Sequence, residues 1–241
     1  MKLFVVLFSL LLVQALSASP EQPLKVIIFE SKPWAAYDSN HQVNGIVVDW
    51  FNKISEQARI PIVINLGNVS RIFKDLEYGR ADLSIEFKPY VKGENLIPII
   101  AIAPLTSKIY AKKTILKTFN WSDLYHEKVC VVRGGLYGLK FTEDDNIDKV
   151  LVNTYDQLVS MLSLNRCKYV AAVESGFKYA IKQSEINSNA FEEQITLDIK
   201  YLYLIYSAKT FDHKISEKLI YAVSELKKQQ FFILSAKAYL E

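Results

Sequence analysis

IVVDWFNKISEQARIPIVINL, residues 46–66, holds the first decision about the fold. Over Ile46–Ala58 the apolar positions Val47, Trp50, Phe51, Ile54 and Ala58 fall at the spacing that puts them on one face of a helix. The run Ile62-Val63-Ile64-Asn65-Leu66 then reads as a strand. Upstream, Leu24-Lys25-Val26-Ile27-Ile28-Phe29 reads as a buried strand, bounded by Pro23 and a turn-rich loop. Downstream, Ser70 is placed to cap a short helix carrying Ile72, Phe73 and Leu76, which Gly79 ends. Residues 81–85 supply a third strand. Strand, helix, strand, helix, strand is the unit of a parallel sheet covered by helices.

The same order recurs. Lys128-Val129-Cys130-Val131-Val132 reads as a strand, Gly134-Gly135 as the opening of a helix, and Val150-Leu151-Val152 as a second strand. Thr154-Tyr155-Asp156-Gln157 fits a capping box ahead of Leu158, Met161 and Leu162. Tyr169–Val173 makes the third strand, with Ser175 placed to cap the helix after it. Two similar α/β units predict two lobes. Residues 107–111 and 201–207 read as strands that pass from lobe to lobe and back. Ile215, Leu219, Ala222, Val223 and Leu226 mark an amphipathic helix near the C-terminus, with Lys227 and Lys228 in its last turn. Its apolar face needs a partner, and the first lobe is the expected one.

At the N-terminus Met1-Lys2 gives a positive start, and residues 3–16 are an almost unbroken apolar run. Ala15-Leu16-Ser17-Ala18-Ser19 then offers small residues, followed by Pro20. That pattern predicts a secretory signal peptide over residues 1–18, cut near Ala18. As a helix the apolar run would span about 21 Å, short of the roughly 30 Å hydrocarbon core. The alternative is an uncleaved anchor. The remaining chain of about 220 residues is long enough to bury one large core or two small ones. Half of the residues are hydrophobic and 12% aromatic, which excludes disorder. A net charge of +3, evenly spread, gives no case for nucleic acid. Two cysteines, Cys130 and Cys167, are too few for a disulfide scaffold; a pair and two buried thiols both fit.

Asn44-Gly45-Ile46-Val47-Val48-Asp49 resembles the Gly-aromatic/aliphatic-x-x-Asp signature of bacterial extracellular solute-binding proteins of family three, the periplasmic amino-acid receptors of ABC importers. Leu76-Glu77-Tyr78-Gly79-Arg80-Ala81-Asp82 resembles the family's Leu-x-x-Gly-x-x-Asp. Trp121-Ser122-Asp123-Leu124, with the strand from Lys128 to Arg133-Gly134, resembles the entry to its second lobe. The resemblance spans nearly the whole chain after the signal. It implies an α/β, two-lobe periplasmic-binding-protein-like (type II) fold, each lobe a mostly parallel sheet flanked by helices, joined by two hinge strands. Residues 19–106 and 207–241 would form the first lobe and 107–206 the second. It further implies a periplasmic monomer with a small-molecule solute, an ABC permease of the inner membrane as partner, and no cofactor.

Several residues then become candidates for the site. Trp34 and Tyr37, in the loop after the first strand, can wall a pocket; surface packing of the loop is the competing reading. Arg71 opens a helix and either points at the cleft or is solvated. Arg133-Gly134-Gly135 combines a guanidinium with backbone N–H groups, a cradle for an anionic group. Tyr137 follows close by with a hydroxyl. Glu174 ends a strand where the family places an acid that receives the ligand's amino group; helix capping competes. Asp49, in the first turn of its helix, reads as structural. The family's lobe-one Thr-x-x-Arg, which clamps an α-carboxylate, is missing. The stretch reads Glu86-Phe87-Lys88-Pro89-Tyr90-Val91-Lys92-Gly93, where Lys88 or Lys92 brings charge without fork geometry. That departure counts against an ordinary α-amino acid and opens the way to a different solute, so the expected ligand is a small polar solute, an amino acid or a related compound.

His41, His126 and His213 are scattered without metal-ligand spacing, and no Gly-x-Ser-x-Gly elbow occurs. The expectation is a receptor that closes on its solute and does no chemistry. The alternatives are an enzyme of the same fold, cyclohexadienyl dehydratase-like, with Glu86 or Glu174 as general acid/base, and a sensor with no importer.

Overall fold

The computed structural model describes residues 22–87, 95–113, 118–135 and 137–240; the expected signal peptide over residues 1–18, Lys88 and Lys92 lie outside them. The first lobe opens with β1 (Leu24–Phe29), a small hairpin of β2 (Ala36–Tyr37) and β3 (Val43–Asn44), and α1 (Ile46–Ala58). β4 (Ile62–Gly67), α2 (Val69–Glu77) and β5 (Leu83–Phe87) complete the unit. β1 pairs in parallel with β4 and with β5. One sheet face packs Val26, Ile28, Leu83 and Ile85 against Trp50, Phe51 and Ile54 of α1. The other packs Ile27 beneath Ile72 and Leu76 of α2.

β6 (Leu96–Lys112) leaves this lobe and enters the next. There β7 (Lys128–Val132), α3 (Leu139–Thr142), β8 (Asp148–Val152), α4 (Tyr155–Ser163), β9 (Tyr169–Val173) and α5 (Glu174–Gln183) repeat the plan. β7 is parallel to both β8 and β9. Cys130, Val170 and Ala172 pack against Leu158, Leu162 and Phe177; Val129, Val131 and Ala171 pack against Leu124 and Phe141. β10 (Phe191–Ser207) returns, and α6 (His213–Lys228) and α7 (Phe231–Leu240) finish the chain. Leu219, Ala222, Val223 and Leu226 of α6 join the core with Trp50 and Phe51. Among the described residues no helix is long and apolar enough to cross a membrane.

All eight long strands form one sheet in the order β4-β1-β5-β10-β6-β9-β7-β8. At its centre β6 and β10 pair antiparallel from Leu96↔Ser207 to Lys112↔Phe191, with four register shifts. β5 joins only the first-lobe end of β10, Phe87 opposite Leu202. β9 joins only the second-lobe end of β6, Val173 opposite Ser107. Both contacts are antiparallel, so β5 and β9 run toward each other. Their carboxyl ends meet near the middle of the ribbon, and that convergence makes the cleft.

Several local expectations are corrected. The Asn68 side chain, not Ser70, caps α2, accepting the Arg71 N–H at 2.9 Å. Gly134-Gly135 does not open a helix: Gly134 and Gly138 have φ 76° and 82°, and α3 starts at Leu139. Ser175 is inside the first turn of α5, whose N-cap position is Val173 with no side-chain bond. Thr154 does cap α4, accepting the Gln157 N–H at 3.2 Å, while Gln157 Oε1 takes the N–H of Asn153 at 2.7 Å. α7 was not foreseen. It is tied to α1 by Trp50 Nε1–H donating to Ser235 Oγ at 2.8 Å and by the Tyr239 hydroxyl donating to Asp49 Oδ2 at 2.7 Å.

Cys130 and Cys167 are joined by a disulfide, with Cα atoms 5.8 Å apart across a separation of 37 residues. Both are buried. Closing a loop of that length is worth about 3–4 kcal/mol on chain-entropy grounds. Urea unfolding with and without reductant should differ by about that amount; equal midpoints would show the bridge to be energetically idle.

Candidate functional site

The site grows from the strand ends. β1 and β5 of the first lobe, and β7, β8 and β9 of the second, all bring their carboxyl ends to one cavity of about 380 Å³. Ligands in open α/β sheets sit at this end of the strands. Leu105 and Leu202, from the central ribbon, contribute to its lining. That volume is within the range of small-molecule sites.

Trp34 reaches the cavity because its loop is fixed to the start of α1. The Ile46 and Val47 N–H groups donate to the Pro33 and Trp34 carbonyls at 3.0 and 2.9 Å. Gly45 permits this: its φ is 136°, and a β-carbon there would lie 2.5 Å from the Trp34 carbonyl oxygen. Arg133 and Gly135 line the second-lobe side. Their turn is stapled by Tyr137, whose hydroxyl accepts the Val132 N–H at 2.9 Å and lies 3.1 Å from the Val132 carbonyl oxygen. A β-carbon on Gly135 would strike that ring. Tyr137 is thus buried behind the turn it shapes. Tyr155 also lines the cavity, and its ring lies over Gly176, where a β-carbon would come within 2.4 Å.

The structure brings Trp34, Arg133 and Gly135 together and places the other candidates elsewhere. Tyr37 stands on the β2–β3 hairpin, about half exposed. Arg71 donates through Nε to Asp75 at 3.2 Å and borders a separate surface depression with Arg80. Lys88 lies outside the described residues. Glu174 is held in ion pairs with Lys108 at 2.9 Å and with Lys178, and it does not line the cavity. Partial burial opposes its charge, but the hydrogen bonds from Lys178 and Lys108 outweigh that and hold its carboxyl below the usual value.

The residue that sequence reading undervalued is Glu86. Alternation along β5 puts Ser84 and Glu86 on one face. Glu86 lines the cavity yet is only 7% exposed. Its hydrogen bond is a long one, accepted from Ser84 Oγ at 3.4 Å. Among the described residues no cation pairs with it. Burial, opposed weakly by the Ser84 hydroxyl, pushes its carboxyl up to about 7. The signal available in sequence was an acid two residues from a serine, at the end of an otherwise apolar strand.

No family model matches the sequence, and no curated protein does. Solved structures do. The ligand-binding core of GluR0, in complex with L-glutamate, is 14% identical with a TM-score of 0.74, over 91% of this chain and 98% of that one. A histidine kinase sensor domain with similarity to periplasmic binding proteins is 16% identical with a TM-score of 0.71, over 92% and 97%. Substrate-binding domain 2 of Lactococcus lactis GlnP, in its open conformation, is 16% identical with a TM-score of 0.67, over 92% and 97%. These likenesses establish the two-lobe, periplasmic-binding-protein-like fold.

The raised Glu86 carboxyl has a definite consequence for stability. The folded state holds this proton more tightly than the unfolded chain. The associated stability is full below about pH 4.5 and is lost as pH rises from there to about 7. The loss is on the order of 3 kcal/mol. Glu86→Gln, matched in shape but without the titration, should gain on the wild type between pH 4.5 and 8 in urea unfolding. Parallel curves would refute the assignment.

Proposed function

We propose that this chain is a solute-binding protein of the extracellular family three type, exported to the periplasm, that captures a small polar solute between its lobes and does no chemistry on it. The observation that carries this reading is the cavity at the converging carboxyl ends of both lobes' strands, lined from both sides and from the ribbon between them. The lobes pivot on the ribbon, around residues 103–107 and 198–202, where β6 and β10 pair without interruption between two register shifts. The buried disulfide supports export, since such bonds persist in oxidising compartments. Delivery to an ABC permease completes the reading. The likeness to a histidine kinase sensor domain favours a second one, a sensor with no importer, which uses the same cleft.

Trp34 is the tryptophan that lines the cavity; Trp50 donates to Ser235, and Trp121 donates to Asp144 at 2.8 Å. A thermal-shift screen of amino acids, amines and small acids should find a solute that raises the melting temperature and changes the Trp34 emission, with Trp34→Phe losing the optical change. At a hundredfold excess over Kd the gain is about 2.7 kcal/mol, at about 2–4 °C per kcal/mol for a chain of this size. If nothing in a broad screen moves the melting temperature, solute capture is wrong. Turnover of a bound solute would move the protein to the enzymes of this fold.

A further inference from the structure

We propose that Glu86 is the cation-receiving group of the cleft and that the solute it receives is a small organic amine. This rests on the solute-capture reading and adds the chemistry of the ligand. Glu86 combines three properties that the other cleft carboxyls lack together: it lines the cavity, it is buried, and its one partner among the described residues is a neutral hydroxyl at 3.4 Å. Glu30 and Asp156, also on the lining, are exposed and lose little by remaining solvated. Glu174 already holds two lysines.

A buried carboxyl without a cation is costly to ionise, and an incoming ammonium removes that cost by bringing charge and hydrogen-bond donors together. A neutral hydroxyl or amide would supply a donor but leave the charge uncompensated. The ring of Trp34 in the same cavity suits a cation with an apolar body. The cations of the lining, Lys32 and Arg133, stand on the loop after β1 and on the second lobe, where both are exposed. Neither pairs with Glu86.

Binding of such a cation should drive a proton off Glu86, whose carboxyl is otherwise held up to about 7 by burial. The groups that share its surroundings are Ser84 on its own strand, Tyr203 opposite it on β10, and Tyr155 and Tyr179 across the cavity, with Glu30, Lys32, Arg133 and Asp156 on the cavity lining. Of these, Glu86 is the buried carboxyl, so the released proton reports on it.

The test is isothermal titration with putrescine, agmatine and tyramine, set against 1,4-butanediol, succinate, 4-hydroxyphenylethanol and 4-hydroxyphenylacetate. At least one amine should bind. In buffers of differing ionisation enthalpy it should release close to one proton at pH 6 and almost none at pH 8.5. Glu86→Gln should weaken it roughly 10- to 100-fold, with Glu86→Asp restoring part of the loss. Proton release is read on the wild type, so the test survives a variant that folds badly. Binding by the alcohols or acids in place of the amines, or amine binding with no proton release and unchanged affinity in Glu86→Gln, overturns the role of Glu86 while leaving solute capture intact. Silence from these compounds and from the wider screen overturns both.

Discussion

Everything in this molecule hangs on the antiparallel pairing of two 17-residue strands, β6 and β10. Neither lobe's parallel sheet touches the other lobe's directly in the strand order; each is hydrogen-bonded to one end of this ribbon. Because the ribbon strands are antiparallel, and each lobe joins through an antiparallel contact, the strand ends face one another by geometry alone. A parallel ribbon would have pointed one lobe's carboxyl ends away from the cleft. The register shifts matter for the same reason. Bulges increase local twist, which lets one continuous ladder serve two sheets of different orientation while its middle stays regular.

The repeated α/β units were legible because their signals are local. Trp50, Phe51 and Ile54 form a stripe that needs no knowledge of its partner, and Gly45 announces a backbone that no other residue tolerates. The ribbon was legible only in fragments. Residues 96–106 carry Pro98 and Pro104, a residue type that central strands rarely hold; Pro98 sits beside a register shift and Pro104 faces Tyr201 across the ladder. α7 was missed because FFILSAKAYL shows no polar face; its specification comes from Trp50 and Asp49, more than 180 residues earlier in the chain. The turn after β7 misled for a similar reason. Two glycines suggested a helix start, but one serves a left-handed turn and the other the approach of the Tyr137 ring.

The site divides along the same line. Trp34, Arg133 and Gly135 are placed by strand ends and short loops, which sequence pattern locates well. Glu174 and Glu86 could not be sorted that way. Both are acids near the carboxyl end of their unit's third strand, Glu86 inside β5 and Glu174 one residue past β9 at the start of α5. What separates them is a lysine from β6 and another one turn along α5, which meet Glu174, whereas no cation among the described residues meets Glu86. Partnership of this kind depends on tertiary contacts, and a motif does not encode it.

The contrast also sets what each carboxylate can do. A cation arriving at Glu174 must displace two ammonium groups already bonded there, so it exchanges like for like and gains little. One arriving at Glu86 finds a desolvated acceptor with a weak neutral partner, so nearly the whole charge-assisted interaction counts toward binding. The empty cleft carries the cost, as a carboxyl that gives up stability when it ionises above its ordinary range. Stability forgone in the empty state and affinity available to a ligand are then the same free energy seen from two sides. On the proposed role of Glu86, the selecting feature of the cleft is an unmet charge rather than a clamp, and it is met by a ligand that brings the opposite one.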